Sequence, residues 1–142
     1  MSSLNSAPVT IRFFLPNDQL KPYISTFYLT EVRPKNGQII GDWLHPEWAN
    51  LRFISGEGPT AAIGDAEPQS VPLFSAFGPT SKATRFESGA MRSWGVGLLP
   101  LGWSKFVDAP AEHYADKAVD GSLDPMLAAL AELHDIIYSG GA

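Results

Sequence analysis

Through the first two thirds of the chain, apolar residues alternate with polar ones or cluster in short runs; only after Pro100 do they recur at helical spacing. Residues 8–15 are rich in β-branched and aromatic side chains and read as a strand ending at Pro16. Asn17 or Asp18 then caps a single helical turn that ends near Pro22. Residues 23–32 predict a longer strand, with Tyr23, Ser25, Phe27 and Leu29 on one face and Ile24, Thr26, Tyr28 and Thr30 on the other. Both faces carry bulk, which fits a strand covered on both sides.

Pro34-Lys35-Asn36-Gly37 is a turn by composition, and a strand over residues 38–44 follows it. The bend His45-Pro46-Glu47-Trp48 leads into a strand over residues 49–55, so these two strands read as a hairpin. Residues 60–64 and 73–77 are short strands around a polar, proline-bearing link at residues 65–72. Residues 82–87 and 91–98 are two further strands, with Ser88-Gly89 as the turn between them. Seven or eight short strands at this spacing predict a sandwich or a barrel.

Beyond Pro100 the reading changes to helix. Trp103, Phe106 and Val107 share one face of a short helix over residues 101–107, and Pro110 opens another turn over residues 110–114. The last element is predicted as one amphipathic helix, capped by Asp124, with Pro125 in its first turn and Gly140-Gly141 at its end. Met126, Leu127, Leu130, Leu133, His134 and Ile137 lie on its apolar stripe. The fold class expected is therefore α+β: one domain over residues 1–142, strands at roughly 8–98 and helices at roughly 101–138.

Composition narrows the functional classes. With 44% hydrophobic and 18% charged residues the chain is in the globular range, and 142 residues are enough to bury a core. Ten basic residues against 15 acidic ones, a net charge of -5, argue against a phosphate-backbone binder. The absence of cysteine excludes disulfides and thiolate chemistry. No apolar run approaches the roughly 18 residues of a membrane span, and the N-terminus lacks a secretory pattern, so a cytoplasmic location without membrane contact is expected.

Candidate chemistry is sparse. His45, His113 and His134 are far apart in sequence and none forms a His-x-His pair with a nearby carboxylate, so no metal and no cofactor is expected. Gly95-Val96-Gly97 lies inside a strand pattern and lacks the third glycine of a dinucleotide fingerprint. In the strand over residues 91–98, Arg92, Trp94, Val96 and Leu98 share one face; Met91, Ser93, Gly95 and Gly97 share the other. The glycines leave space for a ligand or a packed helix, and the helix after Pro100 is the more economical occupant. Glu112, His113 and Asp116 form a polar cluster, with His113 and Asp116 spaced to share a helical face. The richer set is Tyr28, Trp43, His45, Trp48, Arg52, Phe53, Phe77, Arg85 and Trp94, aromatic and basic residues of the kind that line concave ligand sites or fill a small core. From it Trp43, Arg52, Arg85 and Trp94 are the candidate ligand contacts, the arginines suiting a carboxylate or phosphate.

Residues 15–130 resemble the N-terminal sensor domain of AraC-family transcription regulators. The resemblance rests on Pro-x3-Leu-x-Pro-Tyr-Ile from Pro16 to Ile24, on Phe27-Tyr28, and on His45-Pro46-Glu47-Trp48 before Leu51-Arg52-Phe53. It continues through Phe77-Gly78-Pro79, Val96-Gly97-Leu98-Leu99-Pro100, Ala109-Pro110-Ala111-Glu112 and Ala118-Val119-Asp120. It implies a cupin-like barrel that binds a small-molecule effector, helices that pair two subunits, and DNA contact only through a C-terminal helix-turn-helix half that this sequence does not contain. On that footing Met126, Leu130, Leu133 and Ile137, spaced four-three-four, are the candidate homodimer seam. The same stripe could equally be core. The alternatives are a stand-alone small-molecule binder, a small barrel enzyme using His45 or His113 as general base, and an interaction module without a ligand.

Overall fold

In the computed structural model, which describes residues 8–107 and 109–139, the chain builds two facing antiparallel sheets with helical segments on one side. In chain order the elements are β1 (Val9–Phe14), β2 (Ile24–Val32), β3 (Ile40–Leu44), β4 (Asn50–Gly56), β5 (Thr60–Ile63) and β6 (Gln69–Ser70). They continue with β7 (Phe74–Phe77), β8 (Thr84–Ser88), β9 (Met91–Leu98), α1 (Pro100–Phe106), β10 (Ala118–Asp120) and α2 (Glu132–Ser139). Six strands form one sheet in the order β1-β2-β9-β4-β7-β10, and four form the other in the order β3-β8-β5-β6. Neither sheet closes on itself, so the fold is a β-rich α+β arrangement with two separate layers of strand.

The alternation in the sequence locates most strands to within a few residues, and β2 is covered on both faces as its bulk requires. Asn17 caps as expected, its Oδ1 accepting from the Leu20 amide at 3.1 Å, although a turn forms there. The predicted hairpin over residues 38–55 does not form. Strand β3 pairs with β8 in the four-stranded sheet, while β4 lies between β9 and β7 in the other. The His45-Pro46-Glu47-Trp48 bend thus carries the chain from one sheet to the other. The same is true of Ser88-Gly89: β8 and β9 lie in opposite sheets. The polar link over residues 65–72 contains β6, and β10 returns after the first helices to pair with β7.

The principal core lies between the six-stranded sheet and the helical segments. Leu51, Phe53, Phe74, Ala76 and Leu98 face Trp103 of α1 together with Val107, Tyr114 and Leu127, all buried. The rings of Phe53 and Phe74 stack 4.8 Å apart, and Trp103 meets Tyr114 edge-on at 5.1 Å. Trp103 also donates its indole N–H to the Ala109 carbonyl at 2.6 Å, which lets a polar atom enter the core satisfied. Helix α1 approaches closely because Gly102 rests on the Tyr23 carbonyl, where a Cβ would collide with backbone.

The final element is shorter than its stripe predicts. Residues 124–131 form tight turns, with a 3-10 turn at Ala128–Leu130, and α2 begins only at Glu132. Two anchors explain this. At one end Leu127 is fully buried and Asp124 accepts from Tyr114 Oη at 2.9 Å; at the other His134 Nε2 lies 2.6 Å from the Ile54 carbonyl, and Tyr138 donates to the Phe53 carbonyl. Asp124 still caps, accepting from the Met126 amide at 2.8 Å. The stop expected at Gly140-Gly141 lies outside the described residues. Among the described residues no helix is long and apolar enough to cross a membrane.

Candidate functional site

The second face of the six-stranded sheet, turned toward the four-stranded one, has a different chemistry. Register places Tyr28 opposite Gly95, Gly95 opposite Arg52, and Arg52 opposite Ser75, a row across β2, β9, β4 and β7. The neighbouring row is Thr30, Ser93 and Ile54; on the other side lie Gly97, Asn50 and Phe77. Thr30, Asn50, Ser75 and Ser93 are all buried. Between the sheets a small apolar cluster remains, built on Ile54, Val71 and Phe77.

Gly95 organises this face. A Cβ at this position would run into the Tyr28 ring, so the absence of one lets the ring lie across β9 and reach Arg52. The Arg52 guanidinium carbon is 5.4 Å from the Tyr28 ring centre and 5.2 Å from that of Phe77, so aromatic rings hold it from both neighbouring sides. The space expected beside Gly95 and Gly97 is therefore filled by Tyr28 and by the Ser25 hydroxyl rather than by helix. Helix α1 packs on the opposite face, with Leu98. Burial pushes the Tyr28 phenol pKa up; Arg52 pulls it back and the Glu47 charge adds to the rise.

Arg52 reaches Glu47 through one contact, Nη2 to Oε1 at 3.3 Å. Its buried Nε has no hydrogen-bond partner among the described residues, and neither do Tyr28 Oη, Asn50 Oδ1, Ser75 Oγ and Ser93 Oγ. So many unpaired polar atoms on one buried surface are uncommon in a packed core. Two of these residues, Arg52 and Ser93, border a cavity of about 50 Å³, walled also by Thr30 and Phe77 from the same sheet and by Leu44 and Phe86 from the other. Arg52 is the single charged residue in its lining among the described residues. A wider cleft of about 340 Å³ separates β5 and β6 from β10, with Glu67, Asp116 and Lys117 on its walls.

Of the four predicted ligand contacts, the structure brings only Arg52 to the cavity. Trp43 and Arg85 pair with each other on the outer face of the four-stranded sheet, the guanidinium 5.5 Å from the indole centre. Trp94 projects toward the helix side, its ring 5.6 Å from that of Phe14. Parity already separated Trp94 from the glycine face of its strand. The residues that sequence reasoning passed over are Glu47, Asn50, Ser75 and Ser93; Ser93 shares the glycine face and Asn50 sits two residues before Arg52, which is the signal that was available.

The expected His113–Asp116 pair on a helical face does not form, because the 3-10 turn ends at Tyr114 and Asp116 adopts φ +54. Asp116 instead accepts from the Ser81 amide at 2.8 Å and the Ser81 hydroxyl at 3.0 Å, which hold its pKa below the usual value. The same connection ties back to the site: the Glu47 amide donates to Thr80 Oγ1 at 2.9 Å and the Thr80 amide to the Glu47 carbonyl at 2.8 Å. Three loops are thus stitched in series, from Glu47 through residues 80–81 to Asp116. His45 and His113 are exposed and line neither cavity. No group of three or more metal-binding side chains occurs among the described residues. The predicted dimer seam is divided: Leu130 and Ile137 pack against the main core, while Met126 and Leu133 are exposed beside Ile136.

No protein-family model matches the chain, and no curated protein matches it. Among solved structures it is similar to the crystal structure of a protein of unknown function (DUF1255) from Acinetobacter sp. ADP1. The two are 12% identical, the match covers 66% of this chain and 96% of that one, and the TM-score is 0.42.

Proposed function

We propose that this chain senses a small molecule bound between its two sheets and passes the binding event to the helical side, as the effector-binding and dimerisation domain of an AraC-type transcription regulator does. The observation that carries this is the buried polar surface around Arg52, where Arg52 and Ser93, each with a buried polar atom unpaired among the described residues, border a cavity. The AraC-type assignment rests on the sequence motifs alone. The route for the signal is the chain of loop contacts from Glu47 to Thr80 and from Ser81 to Asp116, which ends two residues from Tyr114 in the helix-side core. A ligand works through this route only to the extent that it binds two arrangements of those loops unequally. Subunit pairing is assigned to the exposed remainder of the seam, Met126 and Leu133.

The reading is tested by thermal unfolding in the presence of carboxylic acids, sugars and neutral apolar compounds. A true effector at 100 times its Kd adds about 2.7 kcal/mol of stability. Hydrogen exchange at residues 79–81 and 114–117 should then change with that compound. A shift in stability without any change in exchange would favour a stand-alone binder. For pairing, Met126→Glu with Leu133→Glu should convert a dimer to a folded monomer by light scattering; an unaltered mass would remove the seam from the proposal.

A further inference from the structure

We infer that the intersheet cavity is a receptor for a small monocarboxylate, and that Glu47, which meets Arg52 from outside the cavity lining, competes with it for the guanidinium. This deepens the sensing proposal and rests on it. The chemistry of the walls selects the class. One guanidinium and few hydroxyls, with no acidic side chain among the described lining residues, set among Ile54, Phe77, Phe86 and Met91, match a ligand with one planar anionic end and a short apolar remainder. A sugar would leave most of its hydroxyls facing apolar walls, and a phosphate dianion would meet a single cation. Size sets a further bound. Cavities of about 150 Å³ accept benzene with its six heavy atoms, so one of about 50 Å³ suits an acid of roughly one or two carbons.

The state of Arg52 supplies the second half of the inference. Arginine binds a carboxylate best through two parallel N–H donors, at about 2.7–2.9 Å. Here the side chain is only 12% exposed, yet Glu47 gives it one contact at 3.3 Å and comes from a side chain 39% exposed at the end of a loop. The Nε donor is left buried and unpartnered among the described residues. The charge is thus neutralised by a carboxylate of the chain itself, in a geometry that a free carboxylate can improve upon. Tyr28 and Phe77 fix the guanidinium in place, so a carboxylate in the cavity shares it with Glu47 and weakens the Glu47 contact rather than moving the arginine.

Calorimetric titration of the full chain with formate, acetate and propionate, each against its neutral amide at matched ionic strength, tests this. The acids should bind and the amides should not. Arg52→Gln should weaken the best acid by at least about tenfold, the scale of a lost charged hydrogen bond. Glu47→Gln, which removes the internal competitor, should bind that acid several-fold more tightly than the unaltered chain; this gain remains readable even if Arg52→Gln fails to fold. Equal or weaker binding by Glu47→Gln would overturn the competing role. If neutral compounds bind and no acid does, the ligand class is wrong while sensing survives; if no compound of any class binds either chain, both readings fall.

Discussion

The two faces of the six-stranded sheet are built from the same strands, yet one is packed and the other is polar and incompletely filled. On the helix side Leu51, Phe53, Phe74, Ala76 and Trp103 interlock, and the one indole N–H that enters has its carbonyl. On the sheet side Tyr28, Asn50, Ser75 and Ser93 are equally buried, with Arg52 partly buried among them, in a layer where polar atoms lack partners among the described residues. Burial by itself therefore does not locate stability. The packed face gains apolar transfer energy and close contacts, whereas the polar face carries desolvated groups whose retention calls for a different reason.

The comparison predicts its largest effect on the packed face. Phe53→Ala removes a ring that is 1% exposed and stacked on Phe74, and should cost about 3–5 kcal/mol in denaturant unfolding. A loss below about 1 kcal/mol would mean that this face is not the main source of stability. The next effect falls where the two faces share backbone. Gly95→Ala drives a methyl into the Tyr28 ring and should cost about 1–3 kcal/mol, a cost that largely disappears when Gly95→Ala is made in a Tyr28→Ala background. Additive effects of the two changes would show that Tyr28 does not depend on the open space at Gly95.

What was legible in the sequence follows from the range over which each signal acts. Period-two alternation is local, so β1, β2, β4, β7, β8 and β9 were found nearly in place. Which sheet a strand joins is decided by distant partners: residues 38–44 and 49–55 look like a hairpin because nothing local records that β9 and β7 already flank β4. The stripe from Met126 to Ile137 fits a helix equally well, but Leu127 in the core and the Tyr114–Asp124 bond override it. At the site, Arg52 was found by chemistry, whereas Trp43 and Arg85 were lost because their sheet was unknown. Trp94 was recoverable from parity, since it alternates with Ser93 and Gly95.

A smaller effect is expected at high pH, again on the packed side. Burial first, and then the hydrogen bond donated to Asp124 with the charge of that carboxylate, pushes the Tyr114 pKa up from 10.0 to about 12. A phenol whose pKa is raised by folding contributes stability that is intact below its unfolded value and is lost as pH rises through the folded one. The unaltered chain should therefore lose stability relative to Tyr114→Phe between about pH 10 and 12, by at most roughly 2 kcal/mol. Parallel pH profiles of the two proteins across that window would remove Tyr114 and Asp124 as an anchor of the last segment.

The smallest change should come from the polar face, and it is the one that most directly tests why that face exists. Ser93 is 2% exposed, and its Oγ has no partner among the described residues. Replacing a buried hydroxyl that makes no bond relieves a desolvation penalty, so Ser93→Ala should leave stability within about 1 kcal/mol or raise it. A loss like that of Phe53→Ala would mean that the hydroxyl is bonded in solution and that this surface is ordinary core. A neutral or stabilising outcome, combined with weaker binding of the best acid, would separate the two faces by purpose: the sheet would be held from its helix side, and the polar residues retained for what enters between the layers.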